Sequence, residues 1–407
     1  MSLKIAILSF EYPPDTAIGG IGTYVQQVSK ALILFNHHVE VFTSSPHRTT
    51  HNEDENGLII HRIHTTDRSN FKNLLIPVLQ NRHKQINFDI VESPEYEAEG
   101  LFIKKVLPFV PLVVKFHTPS FLIKEMNRSQ KAFQFKYKIK RVLNIGQYCK
   151  EKDVEHKLSM IADGLSSPSK SLAKIISDRW QIEESKISII PNCYLPSAEL
   201  LAIPADTNTQ CISYIGRLEA RKGVHLLADV IPEVLQRFPQ TKFRFIGKSN
   251  MGPRGTGTMI NFLKRKLKPW SQNMEFIEHV PLEEIPAWLE KTDICIYPSL
   301  WENFPNVCLE AMSAARGIIA SKNGGMLEML EDINGGILID PLNVKQLKDS
   351  IIWLLQNPSQ RIEMGERCRN KIKMYYATQV PEMNIDFYKK IIALHSNKFN
   401  AIPSHNQ

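Results

Sequence analysis

Two apolar patterns alternate along the chain. Short, nearly unbroken apolar runs (LKIAILSF, FDIVESP, PLVVKFHTPS, and SKISIIPN, which is stopped by Pro191) read as strands buried on both faces, as in a parallel sheet. Between the first of these and VEVFTSS lies a stretch with helical spacing, GIGTYVQQVSKALILF, entered through a glycine turn. Strand, glycine turn, helix and strand begin a doubly wound α/β unit. A second series follows after residue 210, with CISYIGRL, KFRFIGK, MEFIEHV, DICIYPS, GIIASK and GGILID as strands. They alternate with helical stretches such as GVHLLADVIPEVLQRF and VKQLKDSIIWLLQN. The expected fold class is therefore α/β, with two doubly wound domains. LPSAELLAIPADTNTQ, from Leu195 to Gln210, has the composition of an interdomain linker, and VPEMNIDFYKKIIALHSNKF reads as a terminal amphipathic helix before a polar tail. A cleft between two such domains is the default place for a site.

Composition supports this picture. A chain of 407 residues exceeds one ordinary core, and 43% hydrophobic with 23% charged residues is ordinary for a globular protein. No run approaches a membrane span, and the N-terminus does not read as a signal peptide. Cys149, Cys193, Cys211, Cys295, Cys308 and Cys368 are scattered without a CxxC pair. Reduced thiols in a cytoplasmic protein, without a zinc site, are expected. The net charge of +8 is concentrated: eleven Lys or Arg face one acid, Glu125, between Lys104 and Lys150. Residues 128–150 interleave these cations with Phe133, Phe135 and Tyr137. That pattern suits a helix on an anionic membrane surface, an acidic or lipid-diphosphate acceptor, or a solvated helix flank. No nucleic-acid module accompanies the charge, so nucleic acid is not an expected partner.

Three motifs carry candidate chemistry. In EYPPDTAIGGIGTYV, Gly19, Gly20 and Gly22 precede the first helix, where backbone amides can meet a phosphate. The spacing is not GxGxxG, and the next strand ends without an acidic ribose partner, so a plain tight turn is the competing reading. In GRLEARKG, Arg217, Arg221 and Lys222 follow a strand, and Arg217 with Lys222 form the pair expected to neutralise a diphosphate. In PSLWENFPNVCLEAM, a helix is expected to begin near Pro305 or Asn306. Glu302 and Asn303 then lie on the loop before it, and Glu310 lies in its second turn facing inward. A carboxylate so placed either pairs inside the protein or receives the hydroxyls of a ligand.

Taken in order, these segments with FHTPS, the Pro191–Asn192 step and GGMLE resemble the retaining family 4 glycosyltransferases over nearly the whole chain. The resemblance implies the GT-B fold, two Rossmann-like domains facing a cleft. It implies an acceptor-side domain over 1–198, a nucleotide-sugar donor domain over 199–376, and a helix in 377–407 returning to the first domain. It implies transfer of a sugar from a nucleotide-diphosphate donor to a saccharide or lipid-linked hydroxyl, in cell-surface polysaccharide or glycolipid synthesis, with no cofactor and no metal. By the same resemblance Glu310 binds the ribose, and Glu302 lies near the sugar hydroxyls. Asn303, Phe304, Pro305, Asn306 and Val307 hold sugar and phosphate, while Arg217 and Lys222 hold the diphosphate. Gly19 and Gly20 close over the phosphates, His117 lies near the reacting carbon, and Asn192 joins the substrate-binding set. The implied mechanism is front-face attack, the leaving diphosphate taking the acceptor proton. The chain departs from the family at Cys193, Tyr194 and Leu195 after the Pro–Asn step, and at Arg316, where small or apolar residues are usual. A nucleotide-sugar epimerase, a phosphorylase and a non-catalytic membrane-surface protein are the alternatives. The expected location is cytoplasmic, with peripheral attachment to the inner face of the membrane through 128–150.

Overall fold

The computed structural model describes residues 2–16, 19–47, 51–132, 149–253, 256–278 and 280–400, with backbone alone at 51–55, 127–132 and 398–400. Most of the basic segment 128–150 thus lies outside the described residues. The chain divides into two compact units, one formed by residues up to 123, from 149 to 195 and from 376 onward, the other built on Pro196–Tyr375.

The first unit carries eight strands: β1 (Lys4–Ser9), β2 (His38–Ser45), β3 (His51–Glu55), β4 (Leu58–His64), β5 (Ile90–Pro94), β6 (Leu112–Lys115), β7 (Gly164–Ser167) and β8 (Ile187–Ile189). Their order is β3-β4-β2-β1-β5-β6-β7-β8, parallel except for β3. β1 and β6 are buried almost throughout, which is why KIAILS and LVVK run apolar without alternating, while β2 and β5 are equally buried yet carry polar residues such as Glu40 and Glu92. Three strands, β3, β4 and β7, lie outside the apolar runs read from the sequence. The β3–β4 hairpin is closed by Asn56–Gly57, both at positive φ (54° and 92°), a turn signal present in the sequence. β7 is only GLSS, too short and too small-chained to announce itself.

The terminal helix, Val380–Asn400, belongs to this first unit. Tyr388 donates to Glu92 of β5 at 2.6 Å, Asn384 to the Cys193 sulfur at 3.3 Å, and His395 meets Asp163 at 3.1 Å. Gly164 receives Ile391 where a side chain would clash, the Ile391 Cγ1 lying 2.7 Å from a Cβ built there.

The second unit has β9 (Cys211–Ile215), β10 (Lys242–Ile246), β11 (Met274–Ile277), β12 (Ile294–Tyr297), β13 (Gly317–Ser321) and β14 (Ile337–Ile339), all parallel. The order β11-β10-β9-β12-β13-β14 reverses direction between β9 and β12. At such a reversal the loops leaving two neighbouring strands diverge and open a crevice at their carboxyl ends. The helix Val224–Arg237 buries Val224, Leu227, Ile231 and Val234 against Phe243, Phe245, Ile294 and Ile296 of the sheet.

Arg316 explains one departure from the family pattern. It is 1% exposed and donates to Ala314 O, Thr292 O, Thr207 Oγ1 and Pro204 O. Arg361 donates to Thr207 O, and Arg369 to Ile203 O and Ser313 O. Three buried guanidiniums therefore hold the segment that composition marks as a linker, which contains a short helix, Ala198–Ala202. Its small polar residues are bound to the second unit, not a loose tether.

Candidate functional site

The crevice between β9 and β12 collects the charged residues of the second unit. β9 ends at Ile215; Gly216, Arg217 and Leu218 follow, and a single 3-10 turn, Ala220–Lys222, leads into the next helix at Gly223. Gly223 is at φ 71°, and a Cβ there would stand 1.9 Å from Pro298 O. Only glycine lets this turn press against the loop leaving β12, and Leu300 N closes the contact by donating to Arg221 O at 2.9 Å. Across that contact Lys222 Nζ lies 2.5 Å and Arg221 Nη1 3.1 Å from Glu302 Oε1. Arg221 also donates to Glu219 at 2.6 Å, and Asn250 to the other Glu219 oxygen at 2.9 Å.

The GGMLE glycines support the opposite side of the same loop. Gly325 N donates to Glu302 O at 2.9 Å. Gly324, at φ 101°, brings its backbone so near that a Cβ would lie 1.9 Å from Glu302 O. This motif positions Glu302 from behind. Glu302, Asn303 and Phe304 are all at least nine-tenths buried.

The helix Asn306–Ser313 starts as the sequence predicts, with Pro305 as N-cap. No side chain caps it and its first turn holds no acid, so the positive end of its dipole is uncompensated by its own residues. Tyr297 fixes it by donating to Val307 O at 2.8 Å. Glu310, one turn on, is partly buried, and its carboxylate makes no hydrogen bond or ion pair among the described residues. Burial pushes its carboxyl up to about 7. Glu302 behaves oppositely: burial would raise it, but Lys222 and then Arg221 hold it below the usual range. Burial draws Lys222 below the ordinary lysine value against the pull of Glu302, whereas the acids around Arg221 keep that guanidinium above its own.

Of the three cations, Lys222 and Arg221 pair directly with Glu302, while Arg217, expected from the sequence to meet a diphosphate together with Lys222, stands further out. Arg217 is 57% exposed and 3.8 Å from Glu219, and Arg221 takes the inner place. Three consecutive residues, Ala220–Lys222, make one 3-10 turn, and nothing in the GRLEARKG string tells which cation that turn directs inward.

In the first unit the reversal lies between β1 and β5. Gly19 caps and Gly20 opens the helix Gly20–Leu34, beside the loop leaving β1: a Cβ at Gly22 would lie 3.2 Å from Glu11 O. Arg68 bridges Glu11 at 2.6 Å and Glu99 at 2.7 Å. His117, 8% exposed, follows β6; its backbone N–H donates to both oxygens of Glu95 at 2.9 and 2.8 Å. Its Nδ1 is 3.0 Å from Lys115 O, a carbonyl that can only accept, so Nδ1 carries a proton there. Tyr24 packs edge-on to the ring at 5.1 Å. Glu155 accepts from Ser120 N, Ser120 Oγ and Glu97 N. Burial, then the charge of Glu95, push Glu155 up to about 7, and burial does the same to Glu99 against Arg68. Asn192 is 6% exposed, and its Oδ1 has no hydrogen-bond partner among the described residues. The glutamates that gather here went unread as site residues, although FDIVESPEYEAEG places Glu95, Glu97 and Glu99 directly after a strand.

Comparison with known proteins agrees with this architecture. Residues 18–194 match the model of the family described as Glycosyltransferase Family 4, and residues 209–357 match Glycosyl transferases group 1. Spore coat protein SA of Bacillus subtilis is 23% identical over 393 residues, covering 95% of this chain and all (100%) of that protein. A D-inositol 3-phosphate glycosyltransferase of Pseudarthrobacter chlorophenolicus is 22% identical, with 89% of each chain covered. Among solved structures, sucrose-phosphate synthase from Thermosynechococcus elongatus superposes with a TM-score of 0.70 at 19% identity, over 96% of this chain and 100% of that one. Anabaena HepE in complex with UDP and glucose gives 0.67 at 14% identity, over 95% and 100%. The two Rossmann-like units and these matches define a glycosyltransferase with the GT-B fold. Within that class the chain belongs to the family 4 glycosyltransferases.

Proposed function

We propose that this enzyme transfers a sugar from a nucleoside-diphosphate donor to a hydroxyl acceptor with retention of anomeric configuration. The observation that carries the reading is the convergence of Lys222 and Arg221 on Glu302 at the β9–β12 crevice, beside the uncapped helix at Asn306 and the unpartnered Glu310. A leaving diphosphate needs fixed positive charge, and two cations with a helix N-terminus supply it. Among the described residues no three His, Cys, Asp or Glu side chains are grouped to hold a metal ion, and in this proposal the cations take the charge-neutralising role. Glu310 receives the ribose hydroxyls, since an ionised carboxylate accepts two of them. Glu302 and Asn303 to Val307 surround the sugar, and Arg217 at the rim reaches the outer phosphate. In the first unit His117, Asn192, Gly19 and Gly20 form the candidate set, Gly19 and Gly20 for the phosphates, His117 for the reacting carbon and Asn192 for substrate binding. HepE and a starch synthase IV bound to ADP and acarbose show nucleotide and sugar ligands on this fold, which supports the class of donor.

The acceptor in this proposal is a saccharide or lipid-linked saccharide of cell-surface polymers or glycolipids, and segment 128–150 is proposed to attach the enzyme peripherally to an anionic membrane surface. No helix among the described residues is long and apolar enough to cross a membrane. The test is a panel of UDP, GDP and ADP sugars screened by thermal shift, followed by product NMR with the donor that stabilises the protein. An α-linked product from an α-linked donor, formed equally with and without EDTA, is expected. Donor converted without acceptor would instead mark an epimerase. Failure of every donor to stabilise the protein would leave the carboxylates structural and the proposal wrong.

A further inference from the structure

Glu92 is a carboxylate in the middle of β5, in register with Ile7 of β1 and Val113 of β6 and 2% exposed. A carboxylate buried in a parallel sheet is costly unless donors meet it, and an apolar residue of that size is often as stable. Two phenols from different helices meet it here. Tyr24, on the helix Gly20–Leu34, donates to one oxygen at 2.9 Å, and Tyr388, on the terminal helix, donates to the other at 2.6 Å. The Tyr24 ring is in turn the wall against which His117 stands, with 5.1 Å between ring centroids. Lys115 Nζ lies 5.2 Å from the centroid of the same tyrosine, within cation–π reach, and donates to Ile190 O at 2.5 Å. The Lys115 carbonyl accepts from His117 Nδ1. Lys115 O and the Tyr24 ring thus restrain the imidazole from two directions, and Glu92 holds the ring by its hydroxyl.

We propose that Glu92 and Tyr388 are positioning residues for His117, acting through the Tyr24 ring. The inference rests on the reading of His117 as the group near the reacting carbon. It gives the terminal helix a part in ordering the site, besides its packing on the first unit. Asn384, one turn before Tyr388, donates to Cys193 Sγ at 3.3 Å, and Cys193 adjoins Asn192. Side chains four positions apart share one face of a helix. A single face of the terminal helix therefore supports both His117 and the segment that carries Asn192. A mis-set imidazole costs the reaction its geometry, whereas the proposed donor contacts lie on the second unit and are untouched. The signature is a loss in kcat without a change in donor KM.

Tyr388→Phe keeps the ring on the terminal helix and removes only its hydroxyl. In the full chain carrying 15N-histidine, with the His117 signals assigned through H117Q, Y388F should move the His117 imidazole resonances. Y24F should move the same ones. I391A thins the packing of the same helix on Gly164 without touching Glu92; it should lower the melting temperature and leave those resonances in place. With the UDP, GDP or ADP sugar that stabilises the protein, Y388F should lower kcat about tenfold and hold donor KM within about twofold. Unchanged His117 resonances in Y388F overturn the inference. An equal shift in I391A also overturns it, since that marks loosened docking of the helix. H117Q with wild-type turnover overturns instead the reading of His117, and the network then has no part in transfer.

Discussion

Lys222 Nζ stands 2.5 Å from Glu302 Oε1, so the cation proposed for a diphosphate already neutralises the carboxylate proposed for the sugar. A donor entering this crevice must share Lys222 with Glu302, which couples phosphate binding to the position of the carboxylate. Glu302→Gln removes that competition. Free nucleoside diphosphate should bind the variant at least as tightly as wild type, by calorimetry, while turnover falls. Loss of the charged hydrogen bonds should also lower stability by about 1.5–3 kcal/mol. Weaker nucleotide binding in the variant would show that Glu302 contacts the nucleotide itself.

Glu310 should show its role through pH. Its carboxyl is raised from an ordinary value of 4.5 to about 7, so between these values the folded state holds a proton that the unfolded state has lost. The stabilisation is complete below pH 4.5 and disappears as pH rises through about 7. Glu310→Gln should therefore gain stability over wild type in denaturant melts at pH 8, with the difference closing towards pH 4. The ligand needs the ionised form. Wild-type affinity for nucleoside diphosphate should rise from pH 6 to pH 8 more than that of the Gln variant, and at pH 8 the variant should bind about tenfold more weakly. Parallel pH profiles would remove Glu310 from the ribose.

Arg221 and Arg217 separate by environment. Arg221→Ala breaks two ion pairs, to Glu219 and Glu302, and should cost about 1.5–3 kcal/mol in a urea melt. Arg217→Ala, at a largely exposed site, should stay within about 0.5 kcal/mol of wild type. If Arg217 alone meets the outer phosphate, its variant should bind nucleoside diphosphate more weakly and the nucleoside monophosphate equally well. Equal melts for the two variants would contradict the assigned inner and outer places.

Arg316→Met should destabilise the protein by about 2–4 kcal/mol, since it leaves several buried acceptors unsatisfied. Burial draws the Arg316 guanidinium from 12.5 down to about 10, so above about pH 10 the unfolded state keeps a proton that the folded state has lost, and the stability deficit of the Met variant should widen there as this group's contribution rises with pH. Chemical denaturation at pH 7 and pH 11 checks both expectations.

Much of the fold was legible because buried parallel strands write themselves as apolar runs, and turns such as that at Gly223 need glycine. The hairpin at Asn56–Gly57 was equally legible by its turn chemistry but lies outside the apolar-run pattern. The helix start at Pro305 follows from the conformational fit of proline to a first turn. What could not be read is which side chain of a polar turn faces inward. Arg217, Arg221 and Lys222 are chemically alike in the string, and only the contact between Gly223 and Pro298 decides that Arg221 lies within reach of Glu302. The glutamates of the first unit were visible but uninterpreted, because their partners Arg68 and Ser120 come from elsewhere in the chain.

The grip of three arginines on Ile203, Pro204 and Thr207 bears on how the second unit can be isolated. A fragment cut at the first strand, Cys211, would deprive Arg316, Arg361 and Arg369 of their partners on Ile203, Pro204 and Thr207. A fragment begun at Pro196 keeps them. Arginines far along the sequence thus set where the second unit can be excised intact, some fifteen residues before its sheet begins.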